Sequence, residues 1–145
     1  MSQEDDLRTI EAMHERYLVL NGEVNYEKLP ELWSAYPDNW YFNLTGHNYH
    51  GLEHWLDLWR HYHGKIITVS PWESHDRVIR VDGDVAWVTC ARTAEIIWKG
   101  EGEAPTQTGP VESRSTEIYY REPDGWRVVH AHFSRSSSEP RPGGI

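Results

Sequence analysis

Toward its end, the chain alternates between two sets of side chains with a period of two, on both sides of a Pro-Asp-Gly turn. The turn, Glu122-Pro123-Asp124-Gly125, has the composition that joins antiparallel strands. Because successive side chains of a strand point to opposite faces, each run divides into two faces. These are Ser113, Ser115, Glu117 and Tyr119 against Arg114, Thr116, Ile118 and Tyr120, and then Val129, Ala131 and Phe133 against Val128, His130 and His132. We predict a hairpin over 113–134 that forms the core of a sheet and is covered by the earlier chain.

Three earlier segments carry apolar residues at helical spacing, which predicts helices over 4–21, 26–36 and 52–63. The first ends at Asn21-Gly22, a typical helix stop, and Pro30 falls in the first turn of the second, where proline is tolerated. The apolar stripes are Ile10, Met13, His14, Tyr17, Leu18 and Leu20; Leu29, Leu32, Trp33 and Tyr36; and Leu52, Trp55, Leu56, Trp59 and Tyr62.

The remaining segments alternate in polarity or are rich in turn residues. They predict strands over 39–45, 66–72, 75–82 and 84–98, and loops over 46–51 and 99–110. Helices followed by a run of strands indicate an α+β fold, with helices packed on one face of a curved antiparallel sheet. We expect a single domain over 1–134 and a flexible tail over 135–145.

Composition and net charge limit the classes of function that the chain can have. The chain has 145 residues and a formal net charge of −9, which argues against binding to nucleic acid or to an anionic membrane surface. No apolar run is long enough to span a membrane, and the polar start does not resemble a signal peptide. The single cysteine, Cys90, cannot form an internal disulfide, so we expect a cytoplasmic protein. Eight Trp and eight Tyr suit a ligand pocket or an interface, although a core of bulky residues would also use them.

Several short motifs resemble the nuclear transport factor 2-like superfamily, and within it SnoaL-like domains and the calmodulin-dependent kinase II association domain. They are Tyr49-His50-Gly51, Asp82-Gly83-Asp84-Val85-Ala86, Arg92 in its strand, and Asp124-Gly125-Trp126 followed by His130, His132 and Ser134. The resemblance covers about 4–134. It implies a cone-shaped half-barrel around a deep apolar pocket, capped by the first and third helices, and dimerisation through the outer face of the sheet. The same scaffold serves isomerases, dehydratases, lyases and non-catalytic binding domains.

The resemblance assigns roles to two polar residues. Tyr17 resembles the tyrosine that donates a hydrogen bond to a substrate oxyanion in ketosteroid isomerases, a role that suits a phenol; a core tyrosine is the alternative. Asn43 falls where those isomerases carry their aspartate base. An amide cannot abstract a proton, so Asn43 is predicted to bind substrate instead.

Arg92 lies on an otherwise apolar strand face, so it must be paired or must serve a ligand. The resemblance to the association domain places a pocket arginine here. Glu117, on the next strand, is a plausible partner. In an apolar cavity Glu117 could also act as acid or base near neutral pH, and an exposed strand glutamate is the alternative. For Arg92 the alternative is a structural pair with Glu117. Trp55, Trp59 and Phe133 are expected to line the pocket.

The nine histidines show no strong metal-binding spacing, so we predict neither a metal nor another cofactor. The inward parity of Val129, Ala131 and Phe133 turns His130 and His132 outward, where they and Trp126 would form a homodimer face. Cys90 has no neighbours that would activate it as a nucleophile.

Two functions remain open. The first is a cofactor-independent lyase, isomerase or dehydratase that acts on a hydrophobic, aromatic or polycyclic substrate, with Tyr17, Arg92 and Glu117 as catalytic residues. The second is a non-catalytic ligand-binding or oligomerisation module that resembles the kinase association domain, which the asparagine at position 43 favours.

Overall fold

The computed structural model describes residues 2–99 and 106–144, apart from the side chains of 106–108. Within these residues the chain forms two α-helices, six strands and two short 3₁₀ turns. The helices are α1 (Gln3–Glu23) and α2 (Gly51–Tyr62); the strands are β1 (Trp40–Phe42), β2 (Asn48–His50), β3 (Ile66–Asp82), β4 (Val85–Trp98), β5 (Thr106–Glu122) and β6 (Gly125–Arg135); the 3₁₀ turns are Leu29–Glu31 and Pro142–Gly144. Neither of these α-helices is long and apolar enough to cross a membrane.

The strands form one sheet in the order β2-β1-β6-β5-β4-β3. All neighbours are antiparallel except β1 and β6, which run parallel. The predicted hairpin is β5–β6, closed by the pair Glu122–Gly125, and it occupies the middle of the sheet. The predicted α+β cone is therefore confirmed, with two α-helices instead of about three.

The segment predicted as a helix over 26–36 is helical only at its 3₁₀ turn. After Pro30 the chain runs beside β6, where Val128 donates its backbone N–H to the Leu32 carbonyl and Ser34 donates to the Val128 carbonyl. Leu29, Leu32 and Trp33 are buried as expected. The prediction was wrong because backbone pairing with the sheet overrides a spacing that also fits a helix.

The strand predictions need four boundary corrections. The predicted strand 39–45 keeps only β1, and the predicted loop 46–51 contains β2. The predicted strands 66–72 and 75–82 are one strand, β3, whose register shifts at two bulges between Ser70 and Val78 and at one nearer its start. Such bulges bend a long strand without ending its pairing. Of the predicted loop 99–110, residues 100–105 lie outside the described residues, and 106–110 belong to β5.

A bulge also changes one face of the final strand. The register between β5 and β6 shifts so that Ile118 pairs with His130 but Tyr119 pairs with Val128, which leaves Val129 without a partner. Val128 is therefore buried, although the alternation predicted it to face outward.

Outward placement is confirmed for His130 and His132, which contact the Phe42 ring on the far side of the sheet. Trp126, predicted on the same outer face, is buried instead and donates its indole N–H to Asp6.

Helix α1 lies across the inner face of the sheet and forms one wall of the core. It begins with a capping box in which Ser2 and Asp5 bond each other's backbone N–H groups, and its buried stripe includes Ile10, Tyr17 and Leu20. These residues join the aromatic core with Trp33, Tyr41, Tyr119 and Phe133. Helix α2 adds Trp55, Leu56 and Trp59 to this core. The helices and the curved sheet thus enclose the inner end of the cone.

Candidate functional site

A cavity of about 270 Å³ opens between the two helices and the inner face of the sheet. Its walls are mainly aromatic and aliphatic, with a few polar groups. Contributions come from α1, from α2, from the turn after β1, and from β3, β4, β5 and β6. Among the predicted site residues, Tyr17, Asn43, Trp55, Trp59, Arg92 and Phe133 line this cavity. Glu117 does not line it.

Arg92 is the one cation buried in this wall among the described residues. It follows Cys90 on the inner face of β4, and only 2% of its surface is exposed. Its guanidinium carbon lies 5.2 Å from the Tyr17 ring centre, 4.5 Å from that of Trp72 and 5.1 Å from that of Phe133. These distances are within the range of cation–π attraction.

The hydrogen bonds of Arg92 are incomplete. One terminal nitrogen donates to the Asn21 side-chain oxygen, whereas the Nε atom is buried without a hydrogen-bond partner. No carboxylate belongs to the described residues that line the cavity, and a second cation, Arg135, lies at its wall. The cavity therefore presents a buried positive charge that none of these residues neutralises.

Glu117 lies beneath the cavity and bonds elsewhere. Both of its carboxylate oxygens lie within hydrogen-bond distance of His14 Nδ1, at 2.9 and 3.0 Å, and Tyr119 donates its hydroxyl to Oε1 at 2.7 Å. All three side chains are fully buried. The alternative of a structural Arg92–Glu117 pair is therefore wrong. On β4 and β5, Arg92 pairs with Ser113, whereas Glu117 pairs with Val88 nearer the closed end of the cone.

The negative charge of Glu117 raises the pKa values of its neighbours His14 and Tyr119. Burial lowers the pKa of His14, but hydrogen bonding to Cys90 and Glu117 and the charge of Glu117 outweigh burial and raise that pKa to about 9. Burial and the same carboxylate hold the pKa of Tyr119 well above its ordinary value. At neutral pH the imidazole is therefore charged, and Glu117 is held in an ion pair rather than facing the cavity as a free base.

Tyr17 connects the cavity wall to this buried network. Its ring packs 4.7 Å from Trp33, and burial raises its pKa to about 12, with a smaller upward contribution from Glu117. Attraction and hydrogen bonding to Arg92 oppose that rise. The phenol consequently keeps its proton at neutral pH and can donate a hydrogen bond to a negatively charged oxygen.

The other predicted residues form the walls. Trp55 and Phe133 stack with their ring planes 3° apart and their centres 6.2 Å apart, and Trp59 lies 6.1 Å from Tyr17. Asn43 lies in the turn after β1 and donates to Thr45. Sequence reasoning missed Asn21 and Trp72, which complete the surroundings of Arg92.

His14 was the other omission. It is a member of the buried stripe of α1, so its signal was a titratable residue on an apolar helix face. A lone histidine in such a position does not identify its partner.

A curved sheet that holds a cavity under covering helices defines the cone-shaped class of the nuclear transport factor 2-like superfamily, as the motifs predicted. The chain belongs to the SnoaL-like domain family, which it matches over residues 10–137. No curated protein is significantly similar to it.

Solved structures share this fold at low identity. A nuclear transport factor 2-like superfamily protein from Salmonella enterica has a TM-score of 0.82 and 17% identity, covering 99% of this chain and 100% of its own. A candidate dehydratase of that family from Streptomyces avermitilis has a TM-score of 0.73 and 19% identity, covering 94% and 100%. A candidate calmodulin-dependent kinase II association domain from Exiguobacterium sibiricum has a TM-score of 0.67 and 18% identity, covering 96% and 98%. These likenesses establish the fold and leave the reaction open.

Proposed function

We propose that the cavity binds a small, mainly hydrophobic molecule through a carboxylate, or a similar negatively charged oxygen, placed against Arg92. The observation that carries this proposal is a guanidinium buried among aromatic rings, with an unpartnered Nε and no carboxylate in the described wall. A charge removed from water is costly unless it is paired, and ring faces compensate only part of that cost. An anionic ligand would supply the missing partner and the missing hydrogen bond.

The shape of the cavity indicates the size of the ligand. Its volume of about 270 Å³ falls just below the roughly 300 Å³ at which pockets for drug-sized molecules begin. The walls offer flat rings from Trp55, Trp59, Trp72 and Phe133, which suit another planar ring. A compound of one or two rings with a carboxylate fits these dimensions better than a polycyclic one.

A second candidate function is catalysis without a cofactor, of lyase, isomerase or dehydratase type. Tyr17 favours it, because a protonated phenol next to Arg92 could stabilise negative charge that develops on a substrate oxygen. Glu117 is not available as a base at the cavity wall, so its role would be to hold His14 and to influence Tyr17 from below. The substrate in this case would be a carbonyl or hydroxy compound whose oxygen lies between Tyr17 and Arg92.

The binding proposal can be tested with matched pairs of small aromatic carboxylates and their methyl esters, for example benzoate and 2-naphthoate. Calorimetric titration and thermal-shift measurements should show binding of the acids and little binding of the esters. Arg92→Met keeps the length of the side chain and removes its charge, so the affinity for the acids should fall at least tenfold. Esters that bind as well as acids, or acids that bind equally to Arg92→Met, would disprove the proposal.

A matched control is Arg114→Met, because Arg114 is an exposed arginine of β5 that donates to Ser134 on the outer side of the sheet. This change should leave acid binding unaltered. Incubation of the protein with aromatic hydroxy acids and ketones, followed by product analysis, distinguishes the two candidate functions. Ligand binding without turnover favours the non-catalytic module, whereas turnover that is lost in Tyr17→Phe supports the enzyme.

A further inference from the structure

We propose that His14, Cys90 and Glu117 form a binding site for a divalent metal ion of the zinc type, beneath the aromatic cavity and independent of its ligand. The three residues come from α1, β4 and β5, and their possible ligand atoms all lie within 4.8 Å of one another. All three side chains are buried. An imidazole nitrogen, a thiolate and a carboxylate are the three donor types that zinc uses in proteins.

The present distances require only small shifts. Ligand atoms about 2.0–2.3 Å from a tetrahedral ion lie roughly 3.5 Å apart. His14 Nδ1 and the Glu117 oxygens are closer than this, at 2.9 and 3.0 Å, so they would have to move apart by about 0.5 Å as the ion replaces the proton between them. The Cys90 sulfur lies within 4.8 Å of the other ligand atoms, so its approach would be on the order of 1 Å.

Charge balance also permits an ion at this depth. A charged His14, an ionised Glu117 and a neutral thiol sum to zero. A divalent ion bound by a neutral imidazole, a carboxylate and a thiolate also sums to zero. The exchange of two protons for one ion thus adds no net charge to the core, where an unbalanced charge would be costly.

A cleft on the outer side of the sheet includes Cys90 and Ser115 among its lining residues, together with Asp76, Thr116 and His132. It lies next to the β3 bulge, where Asp76 has a left-handed backbone with φ of 53°. Because this cleft meets β4 at Cys90, we expect an ion to enter from this side rather than through the aromatic cavity.

Cobalt(II) is the probe for the test, because a thiolate bound to Co²⁺ gives a near-ultraviolet charge-transfer band and a tetrahedral site gives visible bands. Cys90 is the single cysteine of the chain, so the charge-transfer band reports on this site alone. Titration of the full chain, first freed of metal with a chelator, should show one Co²⁺ per chain with both kinds of band. Addition of Zn²⁺ should abolish them.

Three variants give the test its controls. Cys90→Ser should lose the charge-transfer band, and Glu117→Gln should weaken Co²⁺ binding at least tenfold. His54→Gln removes an exposed histidine that accepts the His50 backbone N–H, and it should change neither result. Circular dichroism verifies that each variant is folded. A folded wild type that shows no thiolate band with excess Co²⁺, or binding that persists unchanged in Cys90→Ser, would overturn the proposal.

Discussion

His14 and Glu117 form a fully buried ion pair in which one imidazole nitrogen lies 2.9 and 3.0 Å from the two carboxylate oxygens. The pair joins α1 to β5 across 103 positions of sequence. It also fixes the polar layer beneath Tyr17 and Arg92, because Tyr119 donates to the same carboxylate. The cavity thus has the cation of Arg92 in its wall and the neutralised His14–Glu117 ion pair beneath it. The charge of Glu117 is balanced by His14 and not by Arg92.

Stability should fall as the pH rises through the titration of His14. The pKa of this imidazole is raised from 6.5 to about 9, so folding binds a proton in that interval. The contribution is complete below about pH 6.5 and is lost as the pH rises through about 9. In the presence of a chelator, urea denaturation should show a decrease in the free energy of unfolding on the order of 3 kcal/mol between these pH values.

The control for this measurement is His14→Gln. The variant should be less stable at pH 6, and its free energy of unfolding should change much less between pH 6.5 and 9. If the variant and the wild type show the same dependence on pH, other groups are responsible and the ion pair is not maintained.

Arg92→Met and Glu117→Gln should have independent effects on stability. Arg92→Met removes a desolvated cation whose partner is not Glu117, so we expect an unchanged or slightly higher free energy of unfolding. Glu117→Gln leaves His14 without its counter-ion and should lower the free energy of unfolding by up to about 3–5 kcal/mol at neutral pH. The double variant should equal the sum of the two effects in denaturation experiments. Recovery of stability in the double variant would mean that the two residues are paired after all.

Gly51→Ala should disturb the start of α2. Gly51 has φ of 79°, and an added Cβ would lie 3.0 Å from the Pro37 carbonyl oxygen. Gly46 has φ of 90° with open space around it, so Gly46→Ala introduces backbone strain without a clash. In thermal denaturation, Gly51→Ala should therefore lower the free energy of unfolding by about 1–2 kcal/mol more than Gly46→Ala does. Equal losses of stability in the two variants would contradict a steric conflict between a Cβ at position 51 and the Pro37 carbonyl oxygen.

The fold was largely predictable because long runs of alternating polarity fit a β-strand and do not fit a helix. The hairpin of β5 and β6 has one strand face of small and polar residues and a turn with Pro, Asp and Gly, and neither fits a helix. The errors lie where a short pattern fits two structures. Leu29, Leu32 and Trp33 satisfy helical spacing, but their segment pairs with β6 instead. The bulge at Val129 could not be predicted from the sequence either, because the alternation of polarity continues on both sides of it.

The site was predictable where a single residue differs in polarity from the rest of its strand face. Arg92 stands out as a charge on an apolar strand face, and its position in the cavity wall follows from that parity. Partners were not predictable in the same way, since they depend on how far each strand is offset from the next. Glu117 lies at the level of His14 and Cys90 rather than at that of Arg92, and no pattern in the sequence of α1 reveals this offset.

The outer face of the sheet carries an apolar row that crosses four strands. Trp87 pairs with Ile118, Ile118 pairs with His130, and the ring of His130 lies 5.0 Å from that of Phe42. Trp87 is 37% exposed, and Tyr120 on the same side is 50% exposed. Contiguous exposed apolar surface of this kind is typical of an interface. The row replaces Trp126, which is buried, as the basis for expecting a homodimer.

We therefore predict a homodimer that uses this row, in which the same surface of each protomer faces its partner about a twofold axis. Trp87→Lys places a charge in the middle of the row without touching the inner face, so it should convert the dimer to a monomer while circular dichroism remains unchanged. Val19→Lys is the matched control, because Val19 is 52% exposed on α1, away from the sheet. Sedimentation velocity at micromolar concentration should show dimers for the wild type and for Val19→Lys. A wild type that sediments as a monomer under these conditions excludes the dimer, and a Trp87→Lys protein that remains dimeric places the interface elsewhere.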